Sequence, residues 1–312
     1  MPKPKGELSD TTLKTYQSII NSIRREVGVP TTQYDDGKWI VSNWVKILKI
    51  IDGSASIHTK KNRASVLSVW CDMHNLPDKY GEQLQMIMAE LANEVADQYS
   101  TNKMTEKQEA NWLTIDELRE IVKKLEMKLP RLIDTYGEYK QLLSYLVILI
   151  HLDYPLRNDL ACAKIYLAKD MPDKQDKEIN YLSVGDKKVT LYLNDYKTEK
   201  EYGQKIIEFN EDVSREIIQY YPVIKQLSPK GWFIRDRDDP DKCISRTTLT
   251  KWINSAFADT GKKVSTTQIR RSVISSVYKP VEGEQKKKQD LAYVAGHSVR
   301  TAGSVYAKIE KK

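Results

Sequence analysis

Ala295-Gly296-His297-Ser298-Val299-Arg300-Thr301-Ala302-Gly303-Ser304-Val305-Tyr306 lies near the end of the chain. Leu291, Ala292, Val294 and Ala295 predict an apolar helix that Gly296 ends, and Ser298 can cap a second helix that carries Tyr306. A histidine thus occupies the turn ahead of a helix that presents a tyrosine. Ala302 and Gly303 precede that tyrosine by four and three residues, on the same helical face, and their small size leaves room beside the phenol for another molecule. Taken alone, the pattern fits a buried tyrosine over small residues equally well, so the rest of the chain has to decide.

Immediately upstream, the spacing predicts a helix over 267–278. Val273, Ile274 and Val277 lie three, four and seven residues beyond Arg270, which puts Arg270 on the inward edge, where a guanidinium needs a partner, while Arg271 projects elsewhere. Other helices are expected over 212–225, 246–258, 285–295 and 299–309. Between 179 and 209 the period drops to two: Tyr181-Leu182-Ser183, Val189 to Leu193 and Ile206 to Phe209 predict a three-stranded antiparallel meander, with Lys197 at its second turn. Before it, Tyr139 to Leu152 is a strongly apolar helix ending at Asp153-Tyr154-Pro155. Leu156-Arg157-Asn158-Asp159-Leu160-Ala161 then opens what reads as another apolar helical stretch.

This region begins at Leu113, where Thr114 and Glu117 have capping-box spacing. Residues 101–112 are polar, without apolar period, and read as a linker. Residues 1–100 carry four periodic segments, at about 10–27, 38–51, 56–73 and 78–99, a small four-helix bundle. The expected fold class is therefore mainly α, with an α+β domain over 113–312.

Hydrophobic residues make up 40% and charged residues 30% of the 312, and no run is apolar enough to span a bilayer, so a soluble intracellular protein with no membrane partner is expected. Cys71, Cys162 and Cys243 are scattered and odd in number, which predicts free thiols in a reducing compartment. Cys71 and His74 have metal-like spacing but no second ligand pair, and no metal or cofactor is expected. The net charge is +7, compatible with a polyanionic partner. Residues 1–110 hold 14 basic and 14 acidic side chains, so the C-terminal part carries the whole excess. Within the bundle, Lys60, Lys61 and Arg63 read either as a phosphate-binding row or as a solvated helix face.

Arg157 after a buried helix, Lys197 on a β-turn, inward Arg270, His297 in a turn and Tyr306 nine residues later resemble, in order and local context, the catalytic domain of the tyrosine recombinases, the site-specific recombinases and integrases of mobile elements. The matching motifs are Pro155-Leu156-Arg157, Tyr196-Lys197-Thr198, Gln268-Ile269-Arg270-Arg271, Gly296-His297-Ser298 and Val305-Tyr306. The resemblance runs from about Leu113 to the end, and the helical bundle is similar to the family's core-binding domain, which helps to clamp DNA. It implies that Tyr306 attacks a phosphodiester of double-stranded DNA, giving a 3′-phosphotyrosine bond without ATP or metal. Arg157 and Arg270 would hold the phosphate, Lys197 protonate the leaving oxygen, and His297 bind the phosphate or take the tyrosine proton. It also implies a homotetramer on two duplexes.

Three departures stand out. Thr267 replaces the histidine usual three residues before the second arginine and can only hydrogen-bond a phosphate oxygen. Leu160 takes the place of the usual acid, for which Asp159 is a neighbouring substitute, and only six residues follow Tyr306. Lys200 is a second candidate for the turn lysine. Type IB DNA topoisomerases share the catalytic set but pair it, in compact viral forms, with a β-rich domain. A DNA-binding protein with this fold and little catalysis is the other alternative.

Overall fold

The computed structural model describes residues 8, 10–30, 37–100, 104–278, 291–296, 298, 301 and 306, with the backbone alone at 11 and 97–100. The chain divides into two compact units, Met1–Thr101 and Asn102–Lys312, each with its own core.

The first unit contains α1 (Asp10–Val27), α2 (Lys38–Ser42), α3 (Trp44–Asp52), α4 (Ile57–Met73) and α5 (Asp78–Ser100). The single helix expected over 38–51 is broken at Asn43. Its side-chain Nδ2 donates to the Trp39 carbonyl at 2.9 Å, the local competition with helix geometry for which asparagine is known. Ser56 caps α4 by accepting from the Thr59 amide. Ile20, Ile23, Ile40, Ile47, Leu67 and Leu84 are fully buried at the centre of this unit.

The second unit starts with α6 (Glu106–Ala110), set by a Thr105–Gln108 capping box inside the stretch read as linker. In α7 (Ile115–Met127) Thr114 and Glu117 make the reciprocal bonds that their spacing predicts. The axis of the unit is α8 (Tyr136–Asp153), buried along most of its length from Tyr139 to Leu152 because nearly every turn is apolar on all sides. Around it pack α7, α10 (Glu211–Leu227), α11 (Arg246–Ala256) and α12 (Thr266–Val277).

The sheet differs from the expected meander. It has four strands in the order β1 (Ala163–Leu167), β2 (Asn180–Val184), β3 (Val189–Leu193), β4 (Lys205–Glu208), and β1 runs parallel to β2. What read as a helical stretch after Arg157 is a short 3-10 turn, Asn158–Leu160, followed by β1. Ala163-Lys164-Ile165-Tyr166-Leu167 in fact alternates, and the connection over 168–179 has the length of about a dozen residues that a parallel crossover requires. A short helix, α9 (Glu199–Tyr202), fills the turn between β3 and β4.

Cys162 and Cys243 form a disulfide, contrary to the expectation of three free thiols; only Cys71 is free among the described residues. They are 81 residues apart in sequence, and their proximity is made by the sheet: Cys162 leads into β1, and Cys243 pairs in an isolated bridge with Arg235. Spacing along the chain carries no trace of that.

Candidate active site

A cleft of about 450 Å³ in the second unit is lined by Arg157, Asn158, Asp159, Lys197, Arg246, Thr266, Thr267, Arg270 and Tyr306. These residues come from five places in the chain. Arg157 is the extended residue between α8 and the 3-10 turn. Lys197 stands exposed on the turn after β3, Arg246 opens α11, and Thr266 and Thr267 open α12 with Arg270 one turn further in. Of the residues singled out from sequence, the fold brings together Arg157, Lys197, Thr267, Arg270 and Tyr306.

Arg270 is 3% exposed. Its Nε donates to the Pro155 carbonyl at 2.8 Å, which fixes the plane of the guanidinium, and its Nη2 is buried with no hydrogen-bond partner among the described residues. Burial, then the charge of Arg157, lowers its pKa from the usual arginine range; the group stays cationic. A buried guanidinium with a donor to spare is suited to a ligand with anionic oxygens. The Tyr306 ring lies 5.8 Å from the guanidinium, and the Tyr306 backbone carbonyl accepts from Ser275 Oγ at 3.3 Å.

Asp159, 6% exposed, is the acid of the cleft and shares its lining with Arg157, Lys197, Arg246 and Arg270. Burial pushes its carboxyl upward, opposed by Arg246, Arg270 and Arg157. Its Oδ1 is 3.7 Å from Arg246 Nη2, which also meets Asp195 at 3.0 Å. Asn180 holds these parts together: it donates to the Asp159 and Asp195 carbonyls and accepts from the amides of Asn194 and Asp195. Thr266 Oγ1 donates to Asn158 at 2.7 Å, and Thr267, beside it in the lining, is exposed.

Behind this lining stand two residues that sequence reading passed over. His151 is fully buried, its Nδ1 2.7 Å from the Val147 carbonyl and its Nε2 3.2 Å from that of Arg157; burial lowers it to about 4, so it is neutral. Lys205 is 1% exposed, with its ammonium bonded to the Tyr293 carbonyl and brought down to about 8 by burial and by Arg157. A signal for Lys205 existed, because period two puts it in phase with Ile207 and Phe209, on the inward face of the strand. Arg246 gave none; after Ser245 it looked like the first residue of any capped helix.

Several other residues fall elsewhere. His297 and residues 299–300 and 302–305 lie outside the described residues, as does most of the helix expected over 285–295. Lys200 is on α9 and does not line the cleft. In the first unit Lys60 pairs with Asp52 at 2.9 Å, and Arg63 is held by Glu26, the Ile50 carbonyl and Ser54. Arg63 therefore ties α1, α3 and α4 together, and Lys61 projects from another side of α4. Among the described residues no group of three potential metal ligands occurs, and the Cys71 thiol is pushed up to about 11 by burial.

No family model and no curated protein matches the chain. Solved structures do. A lambda integrase fragment, crystallised as a dimer bound to a COC′ core site, aligns with a TM-score of 0.53 at 14% identity, over 99% of this chain and 93% of that one. The XerH site-specific recombinase bound to difH aligns at 0.46 and 12% identity over 100% and 97%, and the XerA recombinase at 0.44 and 11% over 97% and 89%.

Proposed function

Starting from a chain that has the tyrosine recombinase fold, we propose that it is a site-specific DNA recombinase that cuts and rejoins strands through Tyr306. The observation that carries this reading is the meeting in one cleft of Arg157, Arg270, Lys197, Thr267 and Tyr306, with the unbonded Nη2 of Arg270 buried beside them.

In this reading the Tyr306 oxygen attacks the phosphorus of a DNA phosphodiester, forming a P–O bond to the phenol. The P–O5′ bond breaks, and Lys197 supplies the proton that leaves with the 5′-hydroxyl. The charge on the non-bridging oxygens is met by the forks of Arg157 and Arg270, with Arg246 and the Thr267 hydroxyl as further donors. His297, one residue past Gly296 in sequence, accepts the phenol proton as the new P–O bond forms, the base role that Thr267 cannot fill. Attack by the 5′-hydroxyl of another strand reverses the step, and because the bond energy is retained no cofactor is consumed. The residues 1–100 unit contributes further DNA contacts, and the working assembly is a homotetramer on two sites. The element served is a virus or other mobile DNA.

The test is incubation with supercoiled plasmid and with suicide duplexes carrying inverted repeats from DNA flanking the gene, without added metal. A covalent adduct absent in Tyr306→Phe, with strand exchange between two sites, is the expected result. Relaxation of any plasmid by monomer would instead assign a topoisomerase, and binding without adduct under every condition would sink catalysis by this cleft.

A further inference from the structure

We propose that Lys205 is a positioning residue, pinning the chain at Tyr293–Gly296 against Arg157 and so setting where the polypeptide that bears Tyr306 enters the cleft. The functional half of this rests on the recombinase reading; the structural half does not.

Three observations converge on it. A lysine occupies an inward β4 position, 1% exposed, where a side chain like Ile207 would be the ordinary choice. Its Nζ donates to the Tyr293 carbonyl, which also accepts from the Gly296 amide at 3.1 Å, so the ammonium is bonded to the turn that ends the helical residues 291–295. The rings of Tyr196, Tyr202 and Tyr293 surround it, with centres 5.0, 5.3 and 4.7 Å away, so the desolvated ammonium is offset by aromatic faces, to which the Asp159 charge adds.

The fourth observation lies on the other side of the contact. Gly296 is in the left-handed region at φ 68°, and a Cβ there would lie 3.0 Å from Arg157 Nη1, 3.2 Å from Thr198 Oγ1 and 3.6 Å from Lys205 Nζ. A side chain here would therefore crowd the first cleft arginine and the residue after Lys197, with the buried lysine at ordinary contact distance. Thr198 Oγ1 is itself buried without a hydrogen-bond partner among the described residues. Lys205 stands behind the cleft lining, which is why the proposed action is on the placement of the chain.

The first measurement is amide hydrogen exchange over residues 291–296 in the free full-length protein, for wild type, Lys205→Met and Lys205→Arg. Lys205→Met should exchange at least about tenfold faster there, the size set by losing a hydrogen bond from a charged donor. Amides of α8 should be unaffected, and Lys205→Arg, which keeps a cationic donor, should recover part of the protection. Unchanged exchange over 291–296 in Lys205→Met overturns the proposal. Should that variant fail to fold, Lys205→Gln, which removes the charge and shortens the reach to the Tyr293 carbonyl, must show the same local loosening or the proposal falls. The second measurement uses a duplex that wild type joins covalently: Lys205→Met should bind it within a factor of about two but form adduct at least about tenfold more slowly. A wild type that forms no adduct would refute the recombinase reading and leave the exchange result to decide the role of Lys205.

Discussion

The Arg270 guanidinium lies 5.8 Å from the centre of the Tyr306 ring, and its Nε is tied to the Pro155 carbonyl two residues before Arg157. One buried cation is thereby referred both to the proposed nucleophile and to the strand of chain that presents the other arginine. A lysine could supply the charge but not the fixed plane.

Replacement of Arg270 should therefore separate binding from chemistry. Arg270→Lys is expected to keep DNA affinity within a few-fold and to slow adduct formation by roughly a hundredfold to a thousandfold, the usual effect of losing one oriented donor to a developing oxyanion. Single-turnover cleavage beside a gel-shift titration reads both. Wild-type rates in Arg270→Lys would count against any role for its fork.

Asp159 is buried against arginine side chains from three parts of the chain. Removing the carboxylate leaves their mutual repulsion uncompensated, so Asp159→Ala should cost about 3 kcal/mol of stability. Urea titration checks this. A midpoint matching wild type would mean that Asp195 alone suffices to hold Arg246.

His151 gives a pH dependence with a definite sign. Its folded pKa of about 4 lies below the ordinary 6.5, so between these values the unfolded chain holds a proton that the folded one does not. Its stabilising contribution is complete above about pH 6.5 and is lost as pH falls towards 4, up to about 3 kcal/mol. Urea midpoints at pH 7 and pH 4.5 should differ more in wild type than in His151→Gln. Parallel shifts in the two proteins would show that the acid sensitivity lies elsewhere.

The Cys162–Cys243 bridge spans 81 residues and joins the exit of the 3-10 turn to the chain just before α11, the two pieces that carry Asp159 and Arg246. A loop of that length restricts the unfolded chain enough to contribute about 4 kcal/mol. Reduction, or Cys243→Ser, is expected to lower the melting temperature by several degrees under otherwise identical buffer. Identical melting curves with and without reductant would refute the contribution.

The sequence by itself determined the local elements and the identity of the chemical groups. Capping at Thr114, the apolar periods of α1, α4 and α5, the β-hairpin turn at Lys197 and the inward edge of α12 at Arg270 all follow from interactions within a few residues, which is why they could be read. Family order in turn nominated Arg157, Lys197, Arg270, His297 and Tyr306. Only the tertiary structure decided that β1 is a strand parallel to β2 and that Cys162 meets Cys243. It alone revealed that Arg246 joins the cleft and that the inward lysine of β4 meets the Tyr293 carbonyl. A strand becomes parallel, a thiol finds its partner, and a charge is desolvated because of neighbours tens of residues away, and no local propensity records which neighbours the fold will supply.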